Sequence, residues 1–139
     1  MAKDLYHDAV RNALEKDGWT ITHDPLRLLD KDNNLDYEID LGAEKLLVAE
    51  KGVEKIAVEI KSFLKTSLAH EFHGILGQYI TYSDALEFLE SDRKLILAIP
   101  DFAEERLEKH PFLKHLIKKY QVKILVYDAY KEIILSWKK

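Results

Sequence analysis

Two carboxylates and a lysine stand out before any other feature of the chain. Asp40 precedes one apolar stretch, and Glu59 and Lys61 close another, the Ile-Ala-Val-Glu-Ile-Lys of residues 56–61. On an extended strand, side chains two apart point to the same face. Glu59 and Lys61 therefore project together, with Ile60 on the opposite side. A turn at Lys51-Gly52 would fold the stretch before it back on residues 53–61 as a β-hairpin. That fold carries Asp40 toward Glu59 and Lys61, so two acids and a lysine share a small volume. Such a set suits Mg²⁺ or Mn²⁺, which take a few carboxylate oxygens together with water and a substrate phosphate. The metal polarises a phosphoryl oxygen and lowers the pKa of bound water. A lysine beside it can position or deprotonate that water, because burial and neighbours tune its pKa. Glu-x-Lys alone is also what a surface strand with an ordinary ion pair shows. The preceding Asp, the hairpin spacing and the apolar strand bring the chemical reading level with it. Two acids held close repel each other, which favours a cation or a raised pKa.

Composition limits what can surround this set. A length of 139 residues predicts one domain, 1–139. With 47% hydrophobic and 33% charged residues the chain is too apolar for disorder. It has no cysteine, which excludes a disulfide framework and a thiolate metal site and fits a cytoplasmic protein. The start, Met1-Ala2-Lys3-Asp4, lacks the apolar run of a signal peptide. No stretch approaches the ~18 apolar residues that span a bilayer, so no membrane association is expected. The net charge of −4 argues against strong unaided binding to nucleic acid. Charge is unevenly spread, however. Residues 109–139 hold eight lysines against Asp128 and Glu132, a balance of +6 that leaves −10 for residues 1–108. Lys114, Lys118 and Lys119 are the candidates for contact with DNA phosphates. Solvation of outer faces is the commoner role of lysine.

The elements that would hold the acids in place can be read along the chain. Residues 4–17 predict an amphipathic helix, with Asp4 as N-cap, Gly18 as stop and an apolar face of Leu5, Ala9, Val10, Ala13 and Leu14. Asp4 and His7 lie on one side of it, as a cap and a surface histidine. Residues 19–23 alternate and read as a strand, ended by Asp24-Pro25. Residues 30–34 form a polar loop that lacks the central Gly and the final Glu of a calcium loop. Residues 35–41 run extended into the hairpin. Ser67 caps a long helix over 68–89, with Leu68, Phe72, Ile75, Leu76, Tyr79 and Ile80 on its apolar face. Gly74 and Gly77 inside it each cost up to ~1 kcal/mol, and close approach to the sheet would explain them. His70 and His73 are three apart without further zinc ligands nearby, and read as surface or packing residues. Residues 94–99, ended by Pro100, have the continuous apolar pattern of a strand buried on both faces. Residues 102–120 read as helix broken near Pro111. Strands at 122–127 and 132–137 follow, joined by a turn at 128–131. Strand, helix and strand of these lengths predict a parallel pair.

The order helix, strand, Asp-bearing hairpin ending in Glu-x-Lys, helix, strand resembles the PD-(D/E)xK nuclease superfamily. That resemblance implies a restriction-endonuclease-like fold of α/β (α+β) class, with a mixed central sheet flanked by helices in the order αβββαβαββ. It implies Asp40 and Glu59 as metal ligands, the Ile60 carbonyl as a third, and Lys61 as the catalytic lysine. Gln78, in Gly-Gln-Tyr-Ile-Thr-Tyr, resembles the Gln-x-x-x-Tyr helix of several branches. Gln78 and Tyr82 would then support the site. One departure is Ile39 where proline is common before the Asp. A closer resemblance, over nearly the whole chain, rests on four blocks. These are Asp-Gly-Trp-Thr-Ile-Thr-His-Asp-Pro-Leu (17–26), Asp-Leu-Gly-Ala-Glu (40–44), Ala-Val-Glu-Ile-Lys-Ser-Phe (57–63) and Gly-Gln-Tyr (77–79). Together they resemble the cyanobacterial XisH family, the fdxN element excision controlling factors of heterocyst differentiation. The implied role is in regulated site-specific DNA excision, with DNA, the XisI protein and a recombinase as partners. Self-association into a homo-oligomer stays open. So does the choice between a Mg²⁺-dependent endonuclease and a silent nuclease-fold module that controls excision by binding.

Overall fold

Where the two acids and the lysine end up depends on how the strands pair. The computed structural model describes residues 5–47 and 52–138. Its helices are α1 (His7–Lys16), α2 (Leu68–Phe88), α3 (Asp101–Glu108) and α4 (Pro111–Lys119). Its strands are β1 (Thr20–His23), β2 (Leu26–Asp30), β3 (Leu35–Ile39), β4 (Leu41–Leu47), β5 (Gly52–Ile60), β6 (Lys94–Pro100), β7 (Ile124–Asp128) and β8 (Ile133–Lys138). Six strands form one mixed sheet in the order β1-β4-β5-β6-β7-β8, and β2 and β3 form a separate ribbon. The β5–β6 and β6–β7 pairs are parallel and the others antiparallel.

Period-two alternation sorts the core into two layers. Ala57, Leu95, Leu97, Ile99, Ile124 and Val126 face α2, α3, α4 and the β2–β3 ribbon. Ile56, Val58, Ile60, Ile96, Ala98, Leu125 and Tyr127 face α1 and Trp19. Strand β6 is covered on both sides, which accounts for its unbroken apolar run. Gly18, at φ +92°, takes the left-handed conformation that ends α1. Asp128 closes the last hairpin by accepting from the Tyr130 and Lys131 N–H groups.

Several expectations need correction. Residues 26–30 are a strand, so the order αβββαβαββ lacks the β2–β3 ribbon. Leu26 and Leu28 are buried, but Leu29 is 40% exposed and blurs the alternation that marks a half-buried strand. The break expected near Pro111 is present, by contrast: Pro111 opens α4 at a first-turn position where its missing N–H costs nothing. His7 is buried, not at the surface. Ile80 is 39% exposed, not part of the buried face of α2. Gly74 and Gly77 do not approach the sheet: nothing lies within 4 Å of where a Cβ would stand. Asp4 and Lys51 lie outside the described residues; Tyr6 occupies the cap position of α1 without a side-chain cap bond, and Gly52 already pairs with Leu47.

Candidate functional site

Asp40 sits at the joint between the ribbon and the main sheet. Ile39 is buried in the core on the α2 side and Leu41 in the core on the α1 side, so the chain changes layers at Asp40. The β4–β5 register pairs Leu41 with Val58, which brings Asp40 level with the end of β5. There its Oδ2 accepts a hydrogen bond from the Ile60 N–H at 2.7 Å. The Ile60 side chain turns toward α1. Glu59 and Lys61 turn the other way, as period-two geometry requires.

Glu59 is only 5% exposed, and its Oε1 is buried without a hydrogen-bond partner. Its Oε2 lies 3.4 Å from the Lys61 Nζ, which stands at the rim. Burial, and then the charge of Asp40, push the Glu59 carboxyl up to about 8; Lys61 opposes the shift. At neutral pH the carboxyl therefore holds a proton when no cation balances it.

Helix α2 covers this pair. Ser67 caps it by accepting from the His70 N–H at 3.3 Å. Gln78 and Tyr82, one turn apart, share a face. Burial raises the Tyr82 pKa, with the Glu59, Asp40 and Tyr37 charges adding to it and the Gln78 amide pulling it down. Tyr37 of β3 packs its ring 5.4 Å from that of Tyr82. Next to it, the Tyr79 hydroxyl donates to the Leu95 carbonyl and accepts from the Lys123 N–H, tying α2 to β6 and the start of β7.

Two arginines brace the segment after Lys61 and the strands that lead to the site, and neither stands out in the sequence. The segment after Lys61 turns sharply, with Phe63 at φ +55° and its ring stacked on Phe72. Arg106 of α3 donates to the carbonyls of Phe63, Lys65 and Thr66. Arg93 donates to the Ala43 and Ile56 carbonyls and to the Thr22 hydroxyl, pinning β1, β4 and β5 together. Gly42 leaves room for this: a Cβ there would stand 3.2 Å from Arg93 and from His23. These contacts span 37 to 71 residues, beyond any local pattern.

Among the described residues no group of three or more His, Cys, Asp or Glu side chains converges on a metal position. Two carboxylates, one with an unpartnered buried oxygen, and the neighbouring Ile60 carbonyl are a donor set of the hard-oxygen kind. It fits Mg²⁺ or Mn²⁺, which keep several waters, better than a closed all-protein cage.

The remaining candidates lie elsewhere. Lys114 and Lys118 of α4 line a groove of about 450 Å³ floored by Ile99, Leu107 and Ile117; Asp40, Glu59 and Lys61 are not part of it. Lys114 is paired with Glu108 at 2.9 Å, and Lys119 lies over the Tyr120 ring at 5.6 Å. His70 and His73 are exposed on α2.

The family model described as XisH protein matches residues 1–135. The chain belongs to the XisH family. It is similar, at 41% identity and a TM-score of 0.85, to a solved XisH family protein from Nostoc punctiforme PCC 73102; the match covers 98% of this chain and 100% of that one. An fdxN element excision controlling factor protein from Anabaena variabilis matches with the same identity and TM-score, over 99% of this chain and 100% of that one. No curated protein matches. Among the described residues of this XisH family member no helix is long and apolar enough to cross a membrane.

Proposed function

We propose that this XisH family member acts on DNA in regulated site-specific excision, as a PD-(D/E)xK-type endonuclease-like factor of restriction-endonuclease-like fold dependent on Mg²⁺ or Mn²⁺. The observation that carries the reading is the buried Glu59 carboxyl, one oxygen unpartnered, held between Asp40 and Lys61. A charge arrangement this unfavourable in the free protein is what a cation position looks like. Asp40, Glu59 and the Ile60 carbonyl would hold the ion. When bound, it supplies polarisation of a phosphoryl oxygen and a lowered pKa for water. Lys61, at the rim, orients the attacking water and its proton. The Asp40 bond to the Ile60 N–H keeps the two acids in register, and Gln78 with Tyr82 backs Glu59 and excludes solvent from behind it. The similar protein from Anabaena variabilis is named as an fdxN element excision controlling factor. Excision of that kind gives DNA as substrate, with XisI and the site-specific recombinase as partners.

Loss of water-proton relaxation enhancement by Mn²⁺ on Asp40→Asn, against binding by the unchanged chain, is the expected result. Lys61→Ala should abolish Mg²⁺-dependent cleavage, with a loss of at least about 100-fold; cleavage that persists in that variant sinks the assignment.

A second reading draws on charge. The net charge is −4, and Lys114 and Lys138 are spent on Glu108 and Glu104. A silent nuclease-fold module that controls excision through DNA, XisI or the recombinase fits this. DNA affinity that falls steeply with salt would mark phosphate contacts by the α4 lysines; a flat response would point to a protein partner.

A further inference from the structure

The outward face of α2 is unlike a solvated helix face. Between residues 68 and 83 the sole formal charge is Glu71, and its carboxylate accepts from the Lys65 N–H. His70, His73, Gly74, Gly77, Ile80 and Asp84 make up the exposed stripe. Surface helices ordinarily carry charge there. A Cβ at Gly74 or Gly77 would meet nothing within 4 Å, so no close approach within the protein offsets their cost to the helix. At the C-terminal end of α2 charge runs against the helix dipole: Asp84 and Glu87 stand there, and the last turn has no basic residue.

We propose that this face receives a second copy of the chain, α2 lying antiparallel on α2 across a two-fold axis at Gly77. A two-fold contact uses the same patch on both subunits and must be self-complementary. Antiparallel alignment centred on Gly77 meets that demand residue by residue. Gly74 faces the partner's Ile80, so a 39% exposed apolar side chain enters the gap a missing Cβ leaves. His70 faces the partner's Asp84. The Ser67 end of the helix, the positive end of its dipole, faces the partner's Glu87 and relieves the misplaced acids. Phe88 falls over the segment that carries Leu64; both are 57% exposed. At the axis, two glycines let the backbones approach toward the short end of the usual 8–10 Å between packed helices. Gln78 and Tyr82 lie on the sheet side of the same helix, so the contact leaves the acids accessible. The proposal does not depend on the nuclease reading.

The absence of cysteine makes the test direct. The full chain should sediment as a dimer at micromolar concentration, and Gly77→Arg should sediment as a monomer with undiminished helical circular dichroism. Oxidised Gly77→Cys should form a covalent dimer at least about ten-fold faster than Glu105→Cys on α3, because the two thiols sit at high effective concentration. His70→Glu should weaken the dimer, and adding Asp84→Lys should restore it, a rescue that misfolding would not produce. A monomeric chain, a dimer untouched by Gly77→Arg, or equal cross-linking at both positions would overturn the proposal.

Discussion

Two acids of this chain occupy enclosed positions under opposite conditions. Asp24 is fully matched: Oδ1 meets the His7 Nε2 at 2.8 Å, and Oδ2 accepts from Arg11 at 2.5 Å. Glu59 has one lysine at 3.4 Å, a second acid beside it and an oxygen with no partner. Each packs helix against sheet, so burial alone does not explain the difference. Structural carboxylates come with their counter-charges, because an unpaired buried charge is expensive. A carboxylate left short of counter-charge is instead poised for a ligand that brings one. The Asp24 cluster therefore reads as a clamp fastening α1 to the end of β1, in contrast to the Glu59 cluster, the proposed cation position.

The comparison can be broken in graded steps. Asp24→Ala should have the largest effect on stability, about 2–4 kcal/mol, since it strands a buried imidazole and a guanidinium; denaturant titration reads it. Loss below 1 kcal/mol would deny the clamp. Glu59→Gln should act in the other direction. Its folded pKa of about 8 lies above the ordinary 4.5, so the folded protein binds the extra proton between those values. Stability should fall as pH rises across that window and level off above it. The full span is on the order of a few kcal/mol. Melting curves from acid to alkaline pH should therefore slope downward in the unchanged chain and run flatter in Glu59→Gln. Equal slopes in both would place the titration elsewhere. Added Mn²⁺ should reduce the slope of the unchanged chain alone, because a cation favours the ionised carboxyl. The smallest effect belongs to Arg106→Ala, roughly 1–2 kcal/mol for hydrogen bonds to exposed-side carbonyls. Under the nuclease reading it should also slow cleavage by loosening the segment after Lys61; unchanged cleavage with the expected stability loss would confine Arg106 to scaffolding.

The legible parts of the site are those whose geometry is local. Glu59 and Lys61 share a face because of the strand period, and Gln78 and Tyr82 share one because of the helical turn. The carboxyl next to Lys61 is visible in six consecutive residues. Its depth is not: Glu59 is buried on the side of the sheet that α2, starting at Leu68, and the β2–β3 ribbon pack against. The exposure of Gly74 and Gly77 was equally hidden, since a glycine looks the same in a sequence whether it faces a sheet or open solvent.

The amino-acid order by itself determined the identity of most strands, the cap and length of α2, the break at Pro111, and the pairing of Glu59 with Lys61. Each follows from neighbours within a turn or two, where backbone sterics and periodic burial act directly. Only the tertiary structure decided that Asp40 reaches the Ile60 amide, that residues 26–30 pair with 35–39 beside the sheet, that His7 closes on Asp24, and that Arg106 and Arg93 brace the segment after Lys61 and the strands that lead to the site. Those contacts join residues from 5 to 71 positions apart. Loop closure and strand register select among many such pairings, and the selection is made by the whole core at once.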